Sequence, residues 1–107
     1  MLNAVPKGRT FKVLPYIGNP KVTVGINARI DIAFDWRDWA NDSDTIIQSE
    51  YELNSSDLSL VDSAIIDNKF TVGLLEGAIK GRSYQVINTV TSANGLKDSR
   101  TFVIKCV

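Results

Sequence analysis

The densest group of side chains with chemical potential lies in a short stretch, FDWRDWANDSDTI, which spans residues 34–46. It holds the only two tryptophans of the chain, Trp36 and Trp39, among four aspartates and one asparagine. Oxygen-rich loops bind calcium, and paired carboxylates hydrolyse glycosides. Exposed tryptophans stack on sugar rings, whereas tryptophans at the end of a strand can simply close a hydrophobic core. These four interpretations make different demands on spacing.

The spacing of the oxygens does not fit a calcium loop of the EF-hand type. Such a loop needs glycine at its sixth position and a bidentate glutamate at its twelfth, and the stretch that begins at Asp35 provides neither. Asp42 and Asp44 are instead typical of turns, where they accept bonds from nearby backbone N–H groups. Asp35 and Asp38 could form a carboxylate pair, but a 107-residue chain leaves little room for a deep cleft. We therefore predict no metal, no cofactor and no enzymatic activity.

The composition excludes several further classes of function. The chain has no histidine and a single cysteine, Cys106, so it cannot contain a Ser-His-Asp or Cys-His site or an intrachain disulfide. Twelve basic and twelve acidic residues give a net charge of zero, which argues against a nucleic-acid or anionic-membrane partner. No apolar run approaches the ~20 residues of a membrane span, and the first ten residues lack the apolar region of a secretion signal. We expect a protein kept in the cytoplasm or in a particle assembled there.

From Arg29 onward, hydrophobic residues recur with the two-residue period of β-strands. In RIDIAFDW the predicted inner face is formed by Ile30, Ile32, Phe34 and Trp36. The later segments place on one face Ile47, Tyr51 and Leu53, then Leu58 and Leu60, then Phe70, Val72 and Leu74, then Tyr84, Val86 and Val90, and finally Phe102, Ile104 and Cys106. About six strands separated by turn signals, with no convincing helix, predict an all-β protein, a small antiparallel β-sandwich over residues 29–107.

The segment GRSYQV favours an immunoglobulin-like version of this sandwich. Tyr84 follows the turn glycine Gly81 by three residues and stands at the head of the longest predicted strand. A tyrosine there can turn its hydroxyl back onto the turn backbone, as in a tyrosine corner. An ordinary core tyrosine at a strand end is the alternative, and it predicts the same fold.

Residues 1–28 have a different composition from the rest of the chain. They contain all three prolines and three of the seven glycines, and proline lacks the N–H donor that a central strand requires. We predict an extended N-terminal arm with one or two possible edge strands, in TFKVL and KVTVG. Segments of this kind often become ordered against a partner.

Several of these stretches resemble a family of small virion proteins of tailed bacteriophages. The resemblance is carried by Asp35 to Trp39 with Asp44 to Ile46, by the strand GRSYQV at Gly81 to Val86, and by the glycine hairpin and final strand at Ser92 to Val103. It covers roughly residues 30–107. The family resemblance implies a fiber-tail adaptor or another structural protein of the virion, assembled in the host cytoplasm and present in multiple copies per particle.

The resemblance also implies partners, which would be other virion proteins of the tail, the portal region or the fiber. Docking is expected through the arm and an edge strand, with a second contact at the loop from Trp39 to Asp44. The predicted partner-binding residues are Leu2, Val5, Phe11, Val13, Tyr16, Ile17, Trp39 and Asp42. Trp39 has a second interpretation, in which it caps the open end of the sandwich. Two alternative functions remain open: a capsid decoration protein that binds the major capsid protein, and a carbohydrate-binding module that uses Trp39.

Overall fold

The computed structural model describes Val5, Thr10–Phe11, residues 21–39 and residues 43–107. These residues form eight β-strands and no helix, and so include no helix long and apolar enough to cross a membrane. The strands are β1 (Thr10–Phe11), β2 (Lys21–Val24), β3 (Arg29–Asp35), β4 (Ile46–Leu53), β5 (Ser59–Ile66), β6 (Phe70–Glu76), β7 (Ser83–Ser92) and β8 (Lys97–Cys106).

The strands form two four-stranded sheets. The first has the order β1-β3-β6-β5, and the second has the order β2-β8-β7-β4. The six long strands pair antiparallel within their sheets. The predicted all-β class with two sheets is therefore confirmed.

Two edges of the sheets are parallel, and both are formed by strands that lie outside residues 29–107, the range of the predicted antiparallel sandwich. β1 runs parallel to β3, with Thr10 opposite Ala33, and β2 runs parallel to β8, with Lys21 opposite Val103. A hairpin forces neighbouring strands to be antiparallel, but neither of these pairs is joined by a hairpin. Both short strands come from the predicted arm, whose boundary at residue 28 stays a prediction.

The hydrophobic core lies between the two sheets. Phe34 contacts Phe102 across the sheets, with ring centroids 5.1 Å apart, and Trp36 continues the aromatic series at 6.1 Å from Phe34. Cys106 carries a free thiol buried in this core, as the alternation predicted. The buried core residues are Val24, Ile32, Phe34, Trp36, Ile46, Leu58, Leu75, Tyr84, Val86, Val90, Phe102, Ile104 and Cys106.

β4 departs from the predicted inner face at one residue, Ile47, while its Tyr51 and Leu53 pack against the core as predicted, and β6 presents the opposite face from the predicted one. In β4, Ile46 is 2% exposed and Ile47 is 62% exposed, because an irregularity in the pairing with β7 between Ile46 and Gln48 shifts the register. In β6, Thr71 pairs with the core residue Phe34. Paired residues project to the same face of a sheet. Thr71, Gly73 and Leu75 therefore line the core between the sheets, and the residues between them lie on the opposite face of the first sheet.

Tyr84 forms the predicted bond to the turn that precedes β7. Its hydroxyl accepts a hydrogen bond from the backbone N–H of Ile79 at 2.9 Å. The same hydroxyl lies 3.4 Å from Asp57 Oδ2, which also accepts a hydrogen bond from Arg82 at 2.9 Å. These contacts fix the β6–β7 connection to the core.

Candidate functional site

Trp36 lies immediately after β3 and is completely buried. Its indole N–H points toward the hydroxyl of Thr71 at 3.0 Å and the side-chain oxygen of Asn88 at 3.3 Å. The Asn88 amide in turn donates to Ser49 Oγ at 2.9 Å and to the Glu50 carbonyl at 3.0 Å. The cluster therefore joins β6 of the first sheet to β7 and β4 of the second, and it satisfies the one polar atom of the indole.

Arg100 covers the ring of Trp36. Its guanidinium carbon lies 4.3 Å from the ring centroid, and the residue is 8% exposed. It also donates to the backbone carbonyl of Asp35 at 3.3 Å. Burial lowers the pKa of Arg100. The negative charges of Asp98, Asp38 and Asp35, in decreasing order of effect, oppose that change. Arg100 and Trp36 therefore form a cation–π interaction inside the domain.

Asp35 is 4% exposed and is held by Arg37. The guanidinium donates to both carboxylate oxygens, from Nε at 3.0 Å and from Nη2 at 2.8 Å. The pKa of Arg37 is raised, mainly by the hydrogen bonds to Asp35 and to a smaller extent by the negative charge of that carboxylate. Arg37 also lies over the ring of Phe70 at 5.1 Å. The Asp35 carboxylate is therefore held in place by Arg37.

Trp39 packs at the open end of the sandwich. Its backbone N–H donates to the carbonyl of Trp36 at 3.0 Å, and the two rings meet edge to face with centroids 5.4 Å apart. The side chain is half-buried against the core. This position agrees with the capping interpretation and leaves part of the ring at the surface.

The far side of the acidic loop is fixed by Asp44, which is 1% exposed. Its Oδ1 accepts hydrogen bonds from the backbone N–H groups of Thr45 at 2.9 Å and Asn94 at 3.2 Å, and Lys69 Nζ donates to its carbonyl at 2.7 Å. A hydrogen bond from the Ser92 hydroxyl has the largest effect on the pKa of the Asp44 carboxyl, and together with the two backbone N–H groups it holds that pKa below its usual range. Asp44 therefore caps the loop, as its residue type indicated.

An open groove of about 550 Å³ lies at the other end of β3. Glu76, its one acidic lining residue, is paired with Arg29 at 2.8 Å. Within the described ranges, no three histidine, cysteine, aspartate or glutamate side chains converge as metal ligands would. The groove is lined by Ile26, Asn27, Ala28, Ser59, Glu76, Gly77, Ala78, Ile79 and Lys80.

A family model described as "Podophage GP4 fiber-tail adaptor protein gp77" matches residues 25–105. The chain belongs to this fiber-tail adaptor family. The match contains β3 to β7 and almost all of β8, and with them both tryptophans and their polar partners. No curated protein matches the chain. The predicted relationship to tailed-phage virion proteins is thereby confirmed.

The predicted partner-binding residues of this fiber-tail adaptor are only partly visible. Leu2, Val13, Tyr16, Ile17 and Asp42 lie outside the described residues. Their role in docking stays a prediction.

Three of the predicted contact residues do lie in the described part of the chain. Val5 is half-buried, and Phe11 lies in β1 opposite Phe34. Trp39 is packed against Trp36. These positions do not test a role in docking.

The alternation in the sequence predicts the direction of two side chains near Trp36 but not their contact with it. Asn88 lies on the same face of β7 as Val86 and Val90, so the alternation of the strand predicts that its side chain points inward. Arg100 similarly shares the parity of Phe102. The partners of Trp36 could not be predicted in this way, because the spacing of residues in the sequence does not indicate which buried polar groups meet across two sheets.

Proposed function

We propose that this protein is a non-enzymatic structural adaptor of the phage virion, joining the tail to the fiber through protein–protein contacts. The proposal rests on the family match over residues 25–105. The well-defined polar groups at the tryptophan end support it, because Asp35, Arg100 and Asp44 are all engaged in holding the fold. Such a domain offers surfaces and edges for assembly.

We further infer an immunoglobulin-like topology for the sandwich. With the eight strands named A, A′, B, C, D, E, F and G in chain order, the two sheets have the orders A-B-E-D and A′-G-F-C. Immunoglobulin domains have the order A-B-E-D in one sheet and C-F-G in the other. The bond from Ile79 N–H to the Tyr84 hydroxyl lies at the connection that leads into strand F, where a tyrosine corner occurs.

The proposed docking elements are the N-terminal arm, an edge strand and the loop from Trp39 to Asp44. β1 and β2 both stand at sheet edges, where a neighbouring protein can reach them. Edge strands present backbone donors and acceptors that a partner strand can complete. The partly exposed ring of Trp39 adds an apolar contact at one end of the sandwich.

A truncation tests the docking role of the arm. Deletion of residues 2–20 retains β2, whose Val24 is 6% exposed and belongs to the core. The deletion also removes β1, which adds only two residues to the edge of the first sheet. We expect a thermal transition that stays cooperative and loss of the chain from assembled particles, measured by quantitative mass spectrometry. A truncated chain that joins particles at full occupancy contradicts arm docking.

A full-length variant guards against a folding defect in the truncation. The double substitution Tyr16→Ala and Ile17→Ala removes two of the predicted contacts and leaves the chain length unchanged. It should lower occupancy in the same direction as the truncation. Reconstruction of wild-type particles provides the independent test, because density for this chain on the capsid shell, rather than at the tail, contradicts the adaptor role.

A further inference from the structure

The two long edge strands of the sandwich are protected to different degrees. β4 ends the second sheet and β5 ends the first, and each pairs with one neighbour among the described strands. Edges of natural sheets are usually blocked by charged side chains, bulges or proline, because an open edge recruits other strands. β4 has exposed Glu50 and Glu52 and an irregular register near Ile46. This edge is protected along most of its length.

β5 is protected only in its first half. Its register is irregular between Leu60 and Asp62, and Asp62 Oδ1 accepts the backbone N–H of Ser63 at 2.9 Å. The second half, Ser63–Ile66, has no charged residue, no proline and a regular register against β6. It is a short, neutral edge that ends in two β-branched residues, Ile65 and Ile66.

The bond at Ser63 also shows which backbone groups point outward. Because the Ser63 N–H bonds to the side chain of Asp62, it does not point toward β6. In an antiparallel pair, alternate residues turn both N–H and C=O away from the partner. Ile65 therefore shares the outward orientation, and its N–H and C=O stand at the edge without the aspartate that covers Ser63.

We propose that Ser63–Ile66 is a strand-docking edge that accepts an extended segment of a partner virion protein with basic residues at both ends. The proposal deepens the tail-to-fiber role above and rests on it for the class of partner. Asp62 precedes the open edge within β5, and exposed Asp67 follows it as the first residue of the turn to β6, with a positive φ of 53°. An antiparallel partner strand that covers Ser63–Ile66 brings the residues that flank it close to these two carboxylates, one beside the strand residue Asp62 and one beside the turn.

The same geometry disfavours a second copy of this chain as the occupant. Antiparallel pairing of Ser63–Ile66 with itself brings Asp62 of each copy close to Asp67, at the start of the turn, in the other. Like charges directly opposite on neighbouring strands are destabilising, whereas opposite charges stabilise the pair. Charge complementarity therefore selects a lysine- or arginine-flanked strand.

Two synthetic hexapeptides test this edge on the full-length protein. Both have the central sequence threonine-valine-threonine-valine, one with lysine and the other with glutamate at each end. In titrations of ¹⁵N-labelled protein to millimolar peptide, we expect the lysine peptide to shift the Ile65 amide resonance and to bind about fivefold more tightly than the glutamate peptide. Equal affinity, absence of a shift, or shifts centred on β4 would overturn the proposal.

Charge reversal provides matched variants for the same titration. Asp67→Lys should weaken the lysine peptide about fivefold, whereas Glu52→Lys, on the protected edge of β4, should leave its affinity unchanged. Equal loss in both variants contradicts the assignment to β5. If the peptide results hold but Asp67→Lys chains enter particles at full occupancy, the edge does not serve a virion partner. The tail-to-fiber proposal would stand in that case, because it fails only if the wild-type chain is absent from the tail.

Discussion

Tyr51 and Tyr84 are both core tyrosines, yet their hydroxyl groups have opposite surroundings. Tyr84 is 2% exposed, and its hydroxyl oxygen accepts a hydrogen bond from the backbone N–H of Ile79. The Tyr51 hydroxyl is buried and has no hydrogen-bond partner within bonding geometry among the described residues. Burial raises the pKa of Tyr51, and the neighbouring Thr71 offsets this only in part. An unsatisfied buried hydroxyl is a cost to folding, whereas a satisfied one is not.

We therefore expect opposite results from the same chemical change at these two positions. Tyr51→Phe should leave stability unchanged or raise it by about 1 kcal/mol, and Tyr84→Phe should lower it by about 1–2 kcal/mol because the Ile79 N–H loses its acceptor. Urea denaturation at pH 7 measures both. Similar destabilisation by the two variants would contradict the assignment of the Tyr51 hydroxyl as unsatisfied.

The pH dependence of stability should contain a contribution from Asp44. The carboxyl pKa is lowered in the folded state, so its stabilising contribution is complete above the unfolded value of about 3.9 and disappears as pH falls through the folded pKa. Asp44→Asn should give a shallower loss of stability with acid than the wild type. Denaturation measured from about pH 2 to about pH 6, which is about two units on each side of that value, gives the difference. Asp67→Asn is the control for removal of one carboxylate, and an identical acid profile for Asp44→Asn and wild type would refute the assignment.

At this scale the sequence predicted the direction of side chains better than their partners. Parity placed Trp36 in the core and would also have placed Asn88 there. It did not indicate that Thr71 and Asn88 would meet the indole N–H, because that contact depends on how the two sheets are stacked. The packing of Arg100 on Trp36 was hidden for the same reason.

Among the elements, β4 and β6 show where a two-residue period fails as a guide to burial. In β4 the irregular pairing before Gln48 exchanges the roles of two adjacent isoleucines. β6 is a central strand with both faces covered, since Thr71 and Val72 are each fully buried. A strand buried on both faces does not reveal its inner side by alternation.

Gly73 marks the inner side of β6. A Cβ atom there would lie 3.1 Å from the ring of Tyr51 and 3.2 Å from Leu60. The glycine thus lets the tyrosine of the opposite sheet approach the backbone of β6 closely. A glycine in a strand interior often signals such an approach, and that signal was more informative than the hydrophobic residues on either side.

The exchanged isoleucines of β4 give a matched pair of substitutions. Ile46→Ala should lower the free energy of unfolding by about 2–4 kcal/mol, because it removes buried methyl groups from the core. Ile47→Ala should change it by less than about 0.5 kcal/mol, since that side chain is at the surface. Chemical denaturation with unchanged m-values measures both effects. A larger loss at Ile47 would mean that the register of β4 follows the simple alternation after all.

For the molecule as a whole, the sandwich depends on pairings between distant parts of the chain. β2 pairs with β8 and β3 pairs with β6, whereas hairpin neighbours account for β5–β6 and β7–β8. The number of layers followed from strand count and turn signals. The parallel edges did not, because sequence patterns report the presence of a strand but not the direction of a neighbour that lacks a hairpin connection.

This topology should make folding slow for a chain of this size. Domains dominated by distant β pairings fold in about milliseconds to seconds, because loop closure costs entropy before the contacts form. Stopped-flow refolding followed by fluorescence of Trp36, which is buried only in the folded sandwich, should show a rate in this range. Complete folding within microseconds would contradict a transition state that requires the distant pairs.

The parallel pairing of β2 with β8 also determines how the domain resists mechanical tension. Lys21 lies beside Val103, and Val24 lies beside Cys106. If a fiber pulls on the chain ahead of Lys21 while the end of β8 is anchored, the two strands are drawn past each other lengthwise. The hydrogen bonds between them then share the force and must rupture together, whereas a pull across the strands would open them one at a time.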